Sequence, residues 1–522
     1  MITSPLKKFA SCPWLVFALV CLWKVALLLF TAQPIPAGDA YFYDGAVVHA
    51  LNGGNYANPS LALVLPISGR EVFSAYPPLH QAVLWLWMNV CGTTVLSAMW
   101  FQFMLFVLYG FGVMAIFRSF RVPPFWTNLA GLFFFGITFL DRPDTLAFAL
   151  GTWSLLGWLR GLHPTENQSS QRWNWFAAFL IILTISTSLH IGAIFLLWGG
   201  LLVLANFCAT RIVTPILPLA AAVLVPLALV AFVKFHFPHL WAGFQEHLKE
   251  TPTLAGWATP NASGLFKGNL LKLARTAPAI FTVAVLAFAS AAVHRRETIL
   301  GLKSAAGFLF WSGLFIAGTL FAASLLLLMQ NPVHWCAYLQ PLLAGLFPIA
   351  GLAFRVEPGR RIYPVLYFGL ALIAGARAIG MTTWGVVCAL DVSHRAATGL
   401  IETSLNQTPA GSAVVMSSAF LYQGDRHKAL SMIHADWLAP YRRKTNVVDC
   451  LVAARPARMI LTQFDYYRGC GTALNELKSR PEIARIQVIN SAKTRPPDAF
   501  GFVQRIVQHV SWAPVTIELE WK

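Results

Sequence analysis

Long apolar runs recur along the first three-quarters of the sequence, and they restrict what the chain can fold into. Each run has roughly 17 to 25 residues, enough for a helix to cross a hydrocarbon core of about 30 Å. Most runs lack the polar face that a large soluble helical core would need. Only 11% of the 522 residues are charged, about half the share expected of a soluble domain. The sequence therefore predicts a polytopic helical membrane protein.

The net charge of +17 is carried by small basic clusters that lie between the apolar runs. A nucleic-acid groove would instead gather basic and aromatic residues on one surface, so no nucleic-acid partner is predicted. The eight cysteines show no metal-ligand or redox spacing, so neither a zinc site nor a thioredoxin-type redox motif is predicted, and no residue is assigned as a metal ligand. Cys450 and Cys470 fall in the polar C-terminal region, and the sequence does not decide whether they pair.

Basic clusters between spans report orientation, because cytoplasmic loops carry an excess of Lys and Arg. Lys7 and Lys8 place the N-terminus in the cytoplasm, before a first span at 14–31. This run resembles a signal peptide, but it is long and has no small-residue cleavage site, so a retained anchor is predicted. The later basic clusters fall at every second connection between apolar runs, as expected if each run crosses the membrane. This pattern predicts about eleven spans. The other ten are predicted at 95–117, 126–139, 145–158, 175–188, 191–207, 212–233, 277–293, 305–329, 335–354 and 362–378.

Two long loops and a terminal domain are predicted on the outer face. The first outer loop, 32–94, contains an apolar stretch at 76–91 that is too short to span, so a helix lying in the membrane interface is expected. The second outer loop covers 234–276. Beyond residue 384 the composition becomes that of a soluble domain, with β-rich runs between polar, helix-compatible stretches. We therefore expect residues 1–384 to form the transmembrane domain and 385–522 a small extracytoplasmic α/β domain.

Two acidic segments stand at the outer ends of predicted spans, where carboxylates are costly. In the first, GDAYFYDG, Asp39 directly precedes a helix-compatible stretch at 40–51. Asp39 can cap this helix, act in a site, or do both. Asp44 lies about 140° around the helix from Asp39, so the two do not form a pair. Asp44 is predicted to be solvated, or to support the site without touching substrate.

The second acidic segment is the turn LDRPD, which holds Asp141, Arg142 and Asp144. One interpretation is a hairpin turn in which Pro143 breaks one helix and Asp144 caps the next. The predicted topology, however, puts this turn on the same side of the membrane as Asp39. A guanidinium between two carboxylates can bind a phosphate while a carboxylate deprotonates a hydroxyl. Both interpretations stay open.

These motifs together resemble the GT-C class of integral-membrane glycosyltransferases. They are similar in particular to the branch that contains protein O-mannosyltransferases, lipid A aminoarabinose transferases and rhizobial lipopolysaccharide core galacturonosyltransferases. The resemblance covers residues 1–378. It is carried by the Asp39 segment with Tyr43, Ala46 and 53–56, by Tyr76-Pro77-Pro78-Leu79, by RPDTLA at 142–147, and by HWCAYLQP at 334–341.

The resemblance implies a GT-C helical bundle that transfers a sugar from a polyprenyl-phosphate donor at the outer leaflet. The acceptor is expected to be a lipid, glycan or protein of the cell envelope, and the location the bacterial inner membrane. It implies Asp39 as the base or acceptor-orienting group, with Asp141 or Asp144 as the second acidic residue. Tyrosines of the same motifs are expected to contact substrate, namely Tyr43, Tyr76 and Tyr338.

Relatives in the aminoarabinose branch carry a lysine just before the proline of the interfacial helix, where this chain has Tyr76. Another cation must then neutralise the donor phosphate, and Arg142, Arg70, His80 and His334 are the candidates. Arg142 is the strongest candidate for this role. For His80, the competing role is contact with lipid headgroups. The sequence does not decide whether a divalent metal takes part.

A transporter or flippase of lipid-linked glycans is the competing function. Such a protein should show repeated halves or broken helices with binding groups at mid-membrane, but the sequence has no visible repeat. A non-catalytic envelope assembly protein is a third alternative, which applies if Asp39 only caps its helix. Lys24, within the first span, is expected to pair inside the bundle or to line a lipid-phosphate groove.

Overall fold

A computed structural model shows a mainly helical protein with a small C-terminal sheet. The residues it describes are 12–32, 35, 39–137, 142–163, 170–255, 280, 283–285, 287–288, 304–326, 331–347, 369, 372, 375–376, 386, 392–435, 447–462, 465–466, 471–491 and 512–522. The predicted spans at 277–293 and 362–378 lie largely outside these residues. The count of about eleven spans therefore stays a prediction.

Apolar helices of membrane-spanning length form the first part of the chain. Within the described residues, four are long enough by length and composition: Val95–Ser119, Leu189–Thr210, Ile216–His236 and Ala305–Ala323, the last lying within a helix that runs Ala305–Leu326. The shorter apolar helix Leu15–Thr31 matches the predicted first span. The remaining helices at predicted spans are Asp144–Leu162, Ser170–Ile185 and Asn331–Leu346. Their bounds differ from the predictions by a few residues because hydropathy does not mark caps.

The predicted span at 126–139 is not one continuous helix. The chain forms the helix Pro124–Gly131, then the 3-10 turn Leu132–Gly136, and leaves helical geometry at Ile137. The buried ammonium of Lys24 donates a hydrogen bond to the carbonyl of Ile137 over 2.7 Å. This confirms that Lys24 pairs inside the bundle, and its partner is the backbone carbonyl of the residue that follows the 3-10 turn.

The first loop, 32–94, is largely helical. It contains the helix Ala40–Leu51, here called the Asp39 helix, then the 3-10 turn Pro59–Leu61 and the helices Pro66–Arg70 and Leu79–Cys91. The last of these begins after Pro77 and Pro78, since proline is favoured at a helix start and disfavoured in a helix interior. It is the apolar helix predicted for the membrane interface, and its Trp85 is exposed.

The second loop packs against the first through the helix Pro238–Ala255. The carboxylate of Glu246 accepts hydrogen bonds from the backbone N–H groups of Ile67 (2.9 Å) and Ser68 (3.1 Å). Both belong to the first turn of Pro66–Arg70, where a negative charge is favourable. Glu246 therefore joins two loops that are distant in the sequence.

The C-terminal region holds a five-stranded sheet in the order β2-β1-β3-β5-β4. The strands are β1 Ala413–Met416, β2 Ser431–His434, β3 Arg458–Thr462, β4 Ile483–Ser491 and β5 Pro514–Trp521. β2, β1 and β3 are parallel, whereas β5 runs antiparallel between β3 and β4. Described helices of this region are His394–Asn406, Ser418–Gly424, Val447–Ala454 and Gly471–Leu477. The expected α/β character is confirmed, while the boundary at 384 lies outside the described residues.

Cysteine pairing in this region stays a prediction. Cys450 has a free thiol, and Cys470 lies outside the described residues.

The Asp39 helix lies between the membrane bundle and the C-terminal region. Its residues from Ala40 to Val48 are all buried. The backbone N–H of Tyr41 donates to Ser418 Oγ at 2.9 Å. The two parts of the chain are also joined by Trp512, whose indole N–H donates to the carbonyl of Ala32 at 3.0 Å. Contacts from both parts of the chain therefore fix the position of Asp39, the residue directly before this helix.

Candidate active site

Asp39 and Arg142 form an ion pair at one end of the bundle. Arg142 Nη2 lies 2.8 Å from Asp39 Oδ2, which agrees with the predicted placement of both segments on one side. Asp39 occupies the cap position of its helix, but its side chain makes no capping hydrogen bond, so the side-chain capping interpretation is wrong. The Asp39 side chain is 41% exposed and that of Arg142 12%. The pair therefore offers a carboxylate open to solvent beside a largely buried cation.

Aromatic side chains surround the cation of this pair. The Arg142 guanidinium lies 5.8 Å from the ring centroid of Tyr43, and Tyr43 meets the Tyr76 ring edge-to-face at 4.9 Å. Burial alone would lower the pKa of Arg142, but the negative charges of Asp39 and Asp144 raise it well above its usual value. Arg142 therefore stays a cation at physiological pH.

Asp144 is buried as the first residue of the helix Asp144–Leu162. Pro143 takes the cap position instead of Asp144, so the predicted cap was off by one residue. The indole N–H of Trp335 donates to Asp144 Oδ2 at 3.3 Å, and the Trp335 ring stacks on His190 at 5.8 Å. The helix N-terminus and this N–H group favour the charged carboxylate, whereas its burial opposes the charge.

We expect Trp335→Phe to destabilise the protein because it leaves the buried Asp144 without its indole donor. Hydrogen bonds to charged groups contribute about 1.5–3 kcal/mol, and the loss should lower the thermal unfolding midpoint of the purified protein. Trp158→Phe is the matched control, since Trp158 is equally enclosed but its N–H has no hydrogen-bond partner among the described residues. Equal shifts in both variants would contradict a stabilising role of the Trp335 hydrogen bond.

Tyr338 lies in the core between helices. Its hydroxyl is 2.8 Å from Thr145 Oγ1, and its ring stacks parallel to Phe148 at 4.5 Å. Its carbonyl accepts a hydrogen bond from Tyr109. The structure therefore places Tyr338 where it orients the residue after Asp144, not on an open surface where a substrate would touch it.

Asp44 and His80 form a second, fully buried cluster. Asp44 is 1% exposed, and its Oδ2 accepts a hydrogen bond from the Tyr422 hydroxyl at 2.7 Å. His80 Nε2 lies 3.6 Å from Asp44 Oδ1, and His80 has no exposed surface. Of the two roles predicted for Asp44, the solvated one is wrong, and the role of supporting the site without touching substrate stays a prediction. A buried His80 is not placed for either expected role, as a phosphate ligand or a headgroup contact.

Of the other candidate residues, Arg70 is described with its side chain, and it is not brought into the pair. Arg70 is exposed at the end of its short helix. Asp141 and the side chain of His334 lie outside the described residues, so their roles stay predictions. Within the part of the chain that the structure describes, no group of three or more His, Cys, Asp or Glu side chains could hold a metal ion.

Sequence reasoning did not single out Trp335, Tyr422 or His247. Trp335 lies in the segment HWCAYLQP, which also contains the predicted site residues His334 and Tyr338. His247 approaches Tyr76 with 5.5 Å between ring centroids. No local pattern marks Tyr422 or His247, because each reaches the site through contacts between distant parts of the chain.

The bundle, the helical first loop with its Asp39 helix, and the C-terminal sheet together have the fold of GT-C integral-membrane glycosyltransferases. Two solved structures with this fold are of ArnT from Cupriavidus metallidurans. The apo state matches with a TM-score of 0.52 and 14% identity, covering 96% of this chain and 97% of that chain. The form bound to undecaprenyl phosphate matches with a TM-score of 0.50 and 13% identity, and the match again covers 96% of this chain and 97% of that chain. At this identity the likeness shows the fold alone. No family model matches the sequence, and no curated protein matches it either.

Proposed function

We propose that the protein is a glycosyltransferase that moves a sugar from a polyprenyl-phosphate donor to an acceptor of the cell envelope. The observation that carries this proposal is the ion pair of the partly exposed Asp39 with Arg142 at one end of a GT-C bundle. The undecaprenyl phosphate bound to ArnT supports a polyprenyl phosphate as the lipid part of the donor. The acceptor is a lipid, glycan or protein.

Asp39 acts as the general base in this reaction. A hydroxyl or amine of the acceptor attacks the anomeric carbon of the sugar, and the bond between that carbon and the phosphate oxygen breaks. The proton of the attacking group passes to Asp39. The released polyprenyl phosphate keeps the electron pair of the broken bond, so negative charge grows on the phosphate during the step.

Arg142 stabilises that growing charge. Its guanidinium carries five N–H donors, so it can contact a phosphate and still orient the Asp39 carboxylate. Charge stabilisation of this kind is strongest in a site that excludes water, and the small exposed fraction of Arg142 fits such a site. Asp144 acts from within the core, where its carboxylate offsets part of the cost of burying the Arg142 charge.

Tyr43, Tyr76 and His247 form an aromatic group beside Arg142. Burial lowers the pKa of His247 to about 4, so its ring is neutral at neutral pH. His247 therefore does not supply a second positive charge for the phosphate. We assign the partly exposed Tyr76 and His247 to contact with the sugar or the first prenyl unit, with the buried Tyr43 supporting them, since aromatic rings and neutral polar tips suit such a ligand.

The reaction is proposed for the outer face of the bacterial inner membrane. The basic clusters support a cytoplasmic N-terminus and an extracytoplasmic C-terminal domain. In this orientation Asp39 and Arg142 face the leaflet from which a translocated lipid-linked donor would be used.

The test uses purified protein in liposomes with radiolabelled polyprenyl-phosphate sugars and an envelope lipid extract. We expect labelled sugar to leave the donor, with polyprenyl phosphate as the second product. A flippase would relocate the labelled lipid between leaflets with its sugar–phosphate bond intact. Relocation without consumption of any donor tested would overturn the proposed function.

A further inference from the structure

We propose that Tyr422 and Asp425 are positioning residues that hold the Asp39 helix, and with it the catalytic carboxylate, in register with Arg142. The inference rests on the proposed function. It assigns a role to the C-terminal domain, whose helix Ser418–Gly424 lies against the Asp39 helix.

The contacts occur along the whole Asp39 helix. Near the start of the helix, Ser418 Oγ accepts a hydrogen bond from the Tyr41 N–H group. In its middle, the Tyr422 hydroxyl donates to Asp44 at 2.7 Å, and the Tyr422 ring meets the Tyr41 ring edge-to-face at 5.0 Å. Contacts at separate points restrain the tilt and the rotation of a helix, which one contact could not do.

The far end of the helix is held by Asp425. Its Oδ2 accepts a hydrogen bond from Asn52 Nδ2 at 2.8 Å, and its Oδ1 lies 2.8 Å from His49 Nδ1. Burial raises the pKa of Asp425, but hydrogen bonds from His49 and Asn52 outweigh this effect and hold the pKa below its usual value. Asp425 is therefore a charged acceptor for two groups at the C-terminal end of the helix.

The two halves of the ion pair are thus fixed by different parts of the chain. Arg142 belongs to the turn before the bundle helix Asp144–Leu162, whereas Asp39 heads a helix that the C-terminal domain holds. A tilt of the Asp39 helix would move the base but not the phosphate-binding cation. A misplacement of about 1 Å can lower a rate by about 10²-fold. The domain should therefore affect turnover more than donor binding.

Two variants test this arrangement in the full-length protein. Tyr422→Phe removes one hydroxyl and keeps the ring, and Asp425→Ala removes the charged acceptor. We expect each to lower kcat by about 10- to 100-fold, with the KM for the donor unchanged, which separates a lost catalytic geometry from lost binding. Asp425→Glu keeps the carboxylate and should recover most of the rate.

Asp449→Asn is the matched control. It breaks the ion pair between Asp449 and Arg480 in the same domain, a pair that does not involve the Asp39 helix. Its kcat should equal that of the wild type. The fraction of each preparation that binds undecaprenyl phosphate corrects every rate for unfolded protein, so a loss of stability alone does not count as support.

Hydrogen–deuterium exchange of residues 40–52 gives a readout that does not depend on sugar transfer. Exchange there should rise in Tyr422→Phe and Asp425→Ala and stay unchanged in Asp449→Asn. Wild-type kcat in the first two variants would overturn the inference and leave the proposed function standing. A wild-type protein that consumes no donor would overturn the proposed function, and unchanged exchange would then also show that the domain does not hold the helix.

Discussion

Asp39→Asn should lower the kcat of sugar transfer by about 10²- to 10⁴-fold, the range that a positioned general base contributes. The amide has almost the same shape as the carboxylate but cannot take the proton of the acceptor. Donor binding should persist, because Arg142 keeps its charge and its place before the bundle helix. The measurement is single-turnover transfer from a radiolabelled donor, together with binding of undecaprenyl phosphate to the same preparation.

Glu71→Gln is the matched control for Asp39→Asn. It also removes one carboxylate from the first loop. Glu71 is exposed, and its ion-pair partner among the described residues is the exposed His239. Its turnover should match the wild type, which shows that loss of one negative charge from this loop is not enough. Wild-type turnover by Asp39→Asn would remove Asp39 from the reaction.

Arg142→Gln should lower kcat/KM by about 10²- to 10³-fold, the effect of losing one donor to a developing oxyanion. Unlike Asp39→Asn, it should also weaken binding of undecaprenyl phosphate. Arg142→Lys should fall between the two, since lysine keeps the charge but lacks the planar fork of donors. Equilibrium binding and initial rates, measured on the same three proteins, separate these outcomes.

The control for Arg142→Gln is Arg485→Gln, which removes a guanidinium from an exposed ion pair with Glu520 on the C-terminal sheet. Both its phosphate binding and its rate should be those of the wild type. If Arg142→Gln bound undecaprenyl phosphate as tightly as the wild type did, another cation would hold the phosphate.

The placement of Asp39 and Arg142 on one side of the membrane could be predicted from the sequence, because it needs only the order of spans and the alternation of basic clusters. Sidedness is a coarse property, set by the sign of charge near each span. The direct contact of the two side chains could not be predicted in this way, because it depends on how the helices pack. The fold class follows from the same coarse signals, since apolar length and composition are enough to recognise a membrane bundle.

The surroundings of the pair could not be predicted, since they depend on partners that are distant in the chain. Asp44 looked like a solvated loop carboxylate, yet its partner Tyr422 lies 378 residues further on. The helix Pro124–Gly131 looked like part of a longer span, because hydropathy does not register the change to a 3-10 turn at Leu132. His80 had an apolar context that fits a lipid interface and a protein core equally well.

Lys24 ties the first helix to the segment that leads into Arg142. The carbonyl that its ammonium binds belongs to Ile137, which lies 113 residues further along the chain and five residues before Arg142. A lysine at the centre of a membrane helix costs about 2.5–3.5 kcal/mol on insertion scales, and this hydrogen bond offsets part of that cost. The contact that accommodates a buried lysine in the first helix therefore also anchors the chain just before the proposed phosphate-binding cation.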